Sequence, residues 1–325
     1  DFIKESRISG FFSCYFIIIY FMKQNLTGME NIMKTIIELM TDEFKKAFAE
    51  YTAAYNADDP KIKLKIDHTY RVAALCERIA KAAGMCAYDV ELAWLSGMLH
   101  DVGRFEQIKR YNTFSDADSV DHAKFGADLL FKDGLISTFL NGMVKCTGYK
   151  PGALEDRYSS DGVFLYDRLN KSDMEMLELA IRCHNMYRIP QGLNSREQAF
   201  CNVLRDADKV DIFKVNIDTP LEEIYNTTTE ELMKSDITDE VLEAFDEEHC
   251  ILKAIRRTPA DTVIGHVSLA YELVYDESVR ITVEQGYLEK LMHFHSDNEE
   301  TNRKMAMVRE KMDSYVKKRI GEKDA

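Results

Sequence analysis

Four histidines and several aspartates occupy positions from which their side chains could bind a cation. They sit in apolar helical patterns, and two of them form a His-Asp pair. The set is His68, His100, Asp101, His122, His184, Asp206, Asp208 and Asp211. Imidazole nitrogens and carboxylate oxygens suit Zn, Fe, Mn, Ni or Co, and the absence of cysteine from the set argues against a closed structural zinc site. The pattern therefore predicts an open, catalytic metal site.

Two amphipathic or apolar helices are expected to carry the first of these side chains. In IDHTYRVAALCERIAKAAG, His68 shares a stripe with Val72 and Ile79, and Gly84 can cap the helix. The segment VELAWLSGMLHD is apolar on almost every side, which is typical of a helix enclosed by the rest of the fold. We expect Gly103 to end that second helix just after the His-Asp pair.

Three further helical patterns carry the remaining candidates. DHAKFGADLLFKDG places His122 on the same face as Phe125, and MEMLELAIRCHN aligns His184 with Ile181. AFCNVLRDADKVDIF continues as a mostly apolar helix with the aspartates of DADKVD. Five successive helices are therefore expected to bring metal-binding side chains to the core.

Composition predicts an all-α protein and argues against nucleic acid as a bulk partner. The chain has 325 residues with five prolines and fifteen glycines, and long stretches are rich in helix-forming residues. Its net charge of -14 argues against a broad surface for nucleic acid. None of the seven cysteines forms a CxxC pair, which predicts reduced core thiols and a cytoplasmic protein.

The domain organisation is expected to be simple. Residues 1–35 form an N-terminal extension, predicted to be non-native or membrane-proximal because of the apolar run at 11–22. Residues 36–325 are expected to form one α-helical domain with its metal-site core at about 60–215 and accessory helices at 216–325. Within it, the Gly-, Ser- and Tyr-rich segment 141–172 could be a mobile cover over a site.

The ordered residues of the core resemble a known family. His68, then His100-Asp101, then Asp208 in DADK, follow the H…HD…D signature of the HD-domain metal-dependent phosphohydrolases, and LHDVGRFEQ with DHAKFGADLLF is similar to bacterial HD-domain hydrolases. The resemblance covers about residues 60–215 and implies a helical bundle in which these four residues bind a metal. It favours Asp208 over Asp206, which helical phase alone does not separate because both positions lie on apolar faces.

Two additional histidines extend the resemblance to two-metal members of the family. His122 and His184 resemble the extra ligands of HD-GYP phosphodiesterases and of di-iron HD proteins, which implies that Asp101 bridges two ions. The alternative is one metal, with His122 and His184 binding phosphate or donating a proton. The chain departs from HD-GYP proteins in having His184-Asn185 and no GYP motif, so cyclic di-GMP specificity is unsupported.

The resemblance implies a hydrolase. We expect cleavage of a phosphoester or phosphoanhydride, foremost of a nucleotide or nucleotide second messenger, by metal-bound hydroxide, with catalytic roles for Asp101, Arg104, His122 and His184. A di-iron oxygenase and a non-catalytic nucleotide-binding sensor are the alternatives. One or two divalent transition-metal ions are the expected cofactors.

Substrate binding needs positive charge beyond the metals. Arg104, Lys209 and Arg188 are the cations nearest in sequence to the ligand positions, so we expect them to bind phosphate. The acidic run SDADSVDH is expected to be a solvated loop and helix cap rather than a metal site. We expect no membrane partner unless residues 11–22 are a real anchor, and the sequence leaves self-association open.

Overall fold

The computed structural model describes residues 41–140, 169–225 and 227–321. Within these ranges the regular structure is helical and there is no β-strand, which confirms the all-α prediction. The N-terminal extension at 1–35 lies outside the described residues, and so does the proposed cover apart from its last four positions. No helix in the described part of the chain combines the length and the apolar character needed to cross a bilayer.

The described residues fall into two compact units. The first contains residues 41–54 and 135–140, of which 41–52 and 136–140 are helical. Phe139 stacks on Phe44 there, with ring centroids 5.5 Å apart. The second unit contains residues 55–134 together with the described residues from 169 onward, and it holds all the candidate ligands. The predicted domain boundaries stay a prediction.

Six helices of the second unit carry or adjoin the candidate ligands. They are α1 (Pro60–Ala82), α2 (Ala87–Leu99), α3 (Val102–Tyr111), α4 (His122–Ala127), α5 (Lys171–Cys183) and α6 (Ser195–Asp218). Helix α1 packs on α2 and α6, α3 packs on α4, and α5 packs on both α4 and α6. The four histidines thus lie on different helices or helix ends that pack around one interior.

Seven shorter or peripheral helices follow α6. They are α7 (Leu221–Tyr225), α8 (Thr229–Lys234), α9 (Asp239–Asp246), α10 (Pro259–Val267), α11 (Asp276–Gln285), α12 (Tyr287–Met292) and α13 (Glu299–Ile320). Buried apolar side chains of five of them, α8, α9, α10, α12 and α13, belong to one cluster that also includes Phe213 of α6. The C-terminal helices therefore share a core with the helix that carries the DADKVD aspartates.

Local sequence explains the limits of α1. The Asp59 side chain accepts a hydrogen bond from the Lys61 amide at 2.8 Å, and Pro60 occupies the first turn, where its missing amide proton costs nothing. The helix ends at Ala82, and Gly84 follows with φ of +73°, as the sequence predicts for a glycine cap. His68 lies near the middle of this helix and is buried.

Helices α1 and α2 approach each other closely at a glycine. A Cβ atom on Gly97 would lie 2.6 Å from the Cα of Ala73, a separation that atoms of this kind do not tolerate. The small residues let the two helix backbones meet. As a result His68 and His100 reach the same point from adjacent helices.

The expectation that Gly103 ends the enclosed helix is wrong. Helix α2 already ends at Leu99, and α3 begins at Val102, so Gly103 lies in the first turn of α3. A Cβ atom there would overlap the carbonyl oxygen of His122 and lie 2.7 Å from the Gly126 amide nitrogen. Gly103 is thus required for the close contact of α3 with α4.

Asp206 fastens the C-terminal helices to α6. Its buried carboxylate accepts hydrogen bonds from the backbone amides of Val274 and Tyr275 and, at 2.7 Å, from the Ser278 hydroxyl. These groups lie at the start of α11, where unpaired amides need an acceptor. Asp206 is therefore a cap for α11.

Candidate metal centre

The structure brings the four candidate histidines and Asp101 into one buried cluster. Their ring nitrogens and carboxylate oxygens form two groups within 4.8 Å that share Asp101. All five residues are at most 4% exposed. We call the set His68, His100, Asp101 and Asp208 site A, and the set Asp101, His122 and His184 site B.

Site A is formed by α1, the α2–α3 junction and α6. The Nε2 atoms of His68 and His100 are 3.3 Å apart, and each lies 3.5 Å from Oδ2 of Asp101. Asp208 Oδ1 is 3.2 Å from His68 Nε2 and 3.9 Å from His100 Nε2. His68, His100 and Asp101 thus direct ligand atoms to one small volume, and Asp208 adjoins it through the two histidines.

Site B lies on the other side of Asp101. The Nε2 atoms of His122 and His184 are 3.1 Å apart. They lie 3.5 Å and 3.8 Å, respectively, from Asp101 Oδ1. Each oxygen of Asp101 therefore faces a different histidine pair, which is the arrangement expected of a bridging carboxylate.

The hydrogen bonds of the imidazole Nδ1 atoms indicate which nitrogen is free to bind a metal. His100 and His184 donate from Nδ1 to backbone carbonyls, and His68 and His122 bind carboxylates, at 2.6–2.7 Å. The four acceptors are Gly97 O, Ile181 O, Asp211 Oδ2 and Asp116 Oδ2. Because every partner is an acceptor, the proton of each neutral ring sits on Nδ1 and the lone pair on Nε2. Neutral rings therefore turn lone pairs toward each other, and a bound cation would satisfy them.

Burial and charge set the protonation of the cluster. Burial, reinforced by Arg104, lowers the pKa of His122 to about 4. Burial, reinforced by His100, also lowers the pKa of His184 to about 4. Burial would raise the pKa of Asp101, but the charge of Lys65 and its other cationic neighbours hold it well below its usual range. Site B thus offers neutral imidazoles and an ionised carboxylate at neutral pH, the forms that bind metals.

Site A differs because His68 has acidic partners on both ring nitrogens. Burial opposes its charge, but hydrogen bonds to Asp208 and Asp211 raise its pKa. Burial alone would likewise raise the pKa of Asp208, yet its hydrogen bond with His68 lowers it. A metal ion in site A would compete with a proton for His68 Nε2, which lies 3.2 Å from Asp208 Oδ1.

We expect the metal-free protein to lose stability as the pH falls from about 6.5 to about 4. His122 and His184 have pKa values of about 4 in the fold against 6.5 when unperturbed, so the unfolded chain binds more protons in this window. The loss is roughly 3 kcal/mol for each ring. His68, with a raised pKa, acts in the opposite sense and reduces the net effect. Urea unfolding at several pH values measures it.

The matched control for this pH dependence is a double variant, His122→Gln with His184→Gln. Its unfolding free energy should depend less on pH between 6.5 and 4, because the two rings no longer contribute. An unfolding free energy of the unmodified protein that stays constant over this window would contradict the assignment of neutral rings.

Two carboxylates orient the histidines, a role that the sequence did not predict for either of them. Asp211 binds His68 Nδ1 and also accepts two hydrogen bonds from Arg71, at 2.6 and 2.9 Å. It lies three residues after Asp208, on the same face of α6, and this spacing was the available signal. Carboxylate partners of this kind fix ring orientation and strengthen imidazole ligands.

The second orienting carboxylate, Asp116, corrects the expectation for SDADSVDH. Asp121 caps α4 through the Lys124 amide and Asp118 is exposed, as expected. Asp116, however, is half-buried and binds His122 Nδ1 at 2.7 Å. With Asp121 and His122 it forms a third group of potential ligands. Gln107 and other donors already occupy the Asp116 carboxylate, so its main role is to hold His122.

The three cations predicted to bind substrate lie in different places. Arg104 adjoins the cluster, with Nε 3.8 Å from Asp101 Oδ1. Lys209 is buried and donates to the Arg205 carbonyl at 3.3 Å. Arg188 is exposed and pairs with Glu272 at 2.7 Å. The structure thus brings Arg104 to the metal ligands, and the substrate roles of all three stay predictions.

Comparison with known proteins gives a family match over the part of the chain that holds both sites. A family model described as "HD domain" matches residues 66–213, a range that contains every residue of sites A and B. Comparisons with curated proteins and with solved structures returned no match. Proteins with this domain are mostly metal-dependent hydrolases, and some are non-catalytic. Residues 66–213 are therefore similar to an HD domain, and they hold a buried His/Asp cluster compatible with the metal site of that family.

Proposed function

We propose that the protein is a phosphohydrolase with two divalent metal ions, one in site A and one in site B. It would cleave a phosphoester or phosphoanhydride, foremost of a nucleotide or nucleotide second messenger. The observation that carries the proposal is the position of Asp101, whose two oxygens face separate histidine pairs. The nucleotide as substrate rests on the family resemblance alone.

The residues present fit a pair of transition-metal ions. When bound, such ions acidify water and neutralise the charge on phosphoryl oxygens. His68 and His100 would hold one ion and His122 and His184 the other, with Asp101 between them. Asp211 and Asp116 keep two of these rings in the orientation that leaves Nε2 free.

Arg104 is the best-placed group for binding an anionic substrate. Its guanidinium is held by the Phe114 carbonyl, Gln107 and Asp116 at 2.6–3.0 Å. Its Nε atom is buried and has no hydrogen-bond partner among the described residues. A buried donor without an acceptor is costly, and a phosphoryl oxygen next to Asp101 would satisfy it.

Lys209 and Arg188 have weaker support as substrate ligands. Burial, followed by the charge of Arg205, lowers the pKa of Lys209 to about 8, so it is largely charged at neutral pH. Arg188 would have to leave Glu272 to reach a substrate. We also propose a cytoplasmic location, since all five cysteines in the described ranges are free thiols.

The first test combines metal analysis with hydrolysis of bis-p-nitrophenyl phosphate in manganese. The unmodified protein should bind about two metal ions per chain and release p-nitrophenol. His184→Ala should bind about one ion and lose most of its turnover, because site B then retains one imidazole. His293→Ala, a change in an exposed histidine at the C-terminal end of α12, is the control and should match the unmodified protein.

Three other results would contradict this proposal or favour one of the alternative functions. One bound metal in the unmodified protein, unaffected by His184→Ala, would contradict the two-metal site. Bound iron with an oxygen-dependent product would favour the oxygenase alternative. Nucleotide that is bound but unchanged after long incubation with manganese would favour the non-catalytic sensor.

A further inference from the structure

We propose that the ammonium group of Lys65 competes with a metal ion for site A. The ammonium neutralises Asp101 when no metal is bound, and metal binding must displace it. The inference rests on the metal-binding part of the proposed function and concerns a residue outside the predicted ligand set.

The contact that carries the proposal is a short ion pair at the bridging carboxylate. Lys65 Nζ lies 2.7 Å from Asp101 Oδ2. The same oxygen lies 3.5 Å from the Nε2 atoms of both His68 and His100, so it is the Asp101 oxygen that would complete site A. The lysine and a metal ion in site A therefore need the same carboxylate oxygen.

The position of Lys65 makes this competition effective. Lys65 is on α1, three residues before His68, so both side chains lie on one face of the helix. The Lys65 side chain is 15% exposed and that of Asp101 is 2% exposed, so water screens the pair weakly. An ammonium and a dication sharing one oxygen would lie close together and repel each other strongly.

The Phe114 ring provides a second position for the Lys65 ammonium group after a metal ion displaces it. Lys65 Nζ lies 5.4 Å from the centre of the Phe114 ring, and the Arg104 guanidinium lies 5.7 Å from the same centre. Aromatic faces attract cations, so a lysine that leaves Asp101 can stay against Phe114. It would then lie beside Arg104, and the two cations could bind one phosphoryl group. Metal binding to site A would in this way prepare the site for an anionic substrate.

The test is calorimetric titration of metal-free full-length protein with Mn²⁺ at fixed pH and ionic strength. Lys65→Met should bind the first ion about tenfold more tightly or better, because the ion no longer displaces a largely buried charge. Lys65→Arg keeps the charge and should remain near the unmodified protein. Lys63→Met removes an exposed lysine of the same helix and should have no effect.

An unchanged or weaker Mn²⁺ affinity in Lys65→Met would overturn the proposal, since a lysine that merely orients Asp101 would assist metal binding. If the unmodified protein binds no Mn²⁺, both the proposal and the metal centre fail. The KM for bis-p-nitrophenyl phosphate should rise in Lys65→Met, and an unchanged KM would contradict a move toward substrate. Tighter Mn²⁺ binding with no hydrolysis in any variant would support the competition and reject the proposed phosphohydrolase.

Discussion

Asp101→Ala is expected to reduce turnover by about a thousandfold or more and to lower the bound metal from about two ions per chain to less than one. The carboxylate faces both histidine pairs, with distances of 3.5 Å to His68 and His122, so its loss removes a ligand from each site. Stabilisation of phosphoryl charge by metal ions contributes several kcal/mol, which corresponds to that factor in rate. Elemental analysis and steady-state kinetics on the same preparation measure the two effects.

Two companion variants make the Asp101 result specific. Asp101→Asn keeps the size of the side chain and should also lose metal, because an amide bridges cations poorly. Asp118→Ala removes an exposed carboxylate from the acidic loop and should retain both metal and activity. Full metal content together with full activity in Asp101→Ala would refute the bridging role.

Gly103→Ala is expected to destabilise the protein by about 2–3 kcal/mol, although it adds a single methyl group to a good helix position. The new Cβ would overlap the His122 carbonyl oxygen and crowd Gly126, so α3 and α4 must separate. A drop of roughly 5–10 °C in the midpoint of thermal unfolding follows from this free energy. Because His122 moves with α4, metal binding in site B should weaken as well.

The control for Gly103 is Gly84→Ala. Gly84 has φ of +73°, and a methyl group on its Cα would meet no atom within 4 Å, so only backbone strain of about 1 kcal/mol is added. The metal content of this variant should be normal. A Gly103→Ala protein as stable as Gly84→Ala would show that the α3–α4 contact can relax without cost.

Helical periodicity was sufficient to predict which histidines are buried. On a helix, residues three or four positions apart lie on the same face, so this pattern can be read from the sequence. It places His68 on one face with Val72 and Ile79, and it places His184 on one face with Ile181. His68 and His184 are accordingly no more than 4% exposed. The bridging position of Asp101 came from family resemblance, because periodicity does not tell which helices face each other.

The remaining features depend on contacts between distant segments. Helix α3 ends at Tyr111, Asn112 follows in a left-handed conformation, and the non-periodic loop after it returns Asp116 to His122. The spacing of residues in SDADSVDH does not indicate that Asp116 contacts His122. The role of Gly103 was likewise hidden, since a glycine after an apolar helix more often ends it than permits a helix contact.

The cap that Asp206 forms has a consequence for how the chain can be divided. The family match ends at residue 213, yet Asp206 within it is satisfied by the amides of Val274 and Tyr275, and Phe213 belongs to the C-terminal core. A fragment cut at that boundary would expose apolar surface and leave a buried carboxylate without its donors two residues from Asp208. The range matched by the family model is therefore shorter than the stretch of chain that buries this core and this carboxylate.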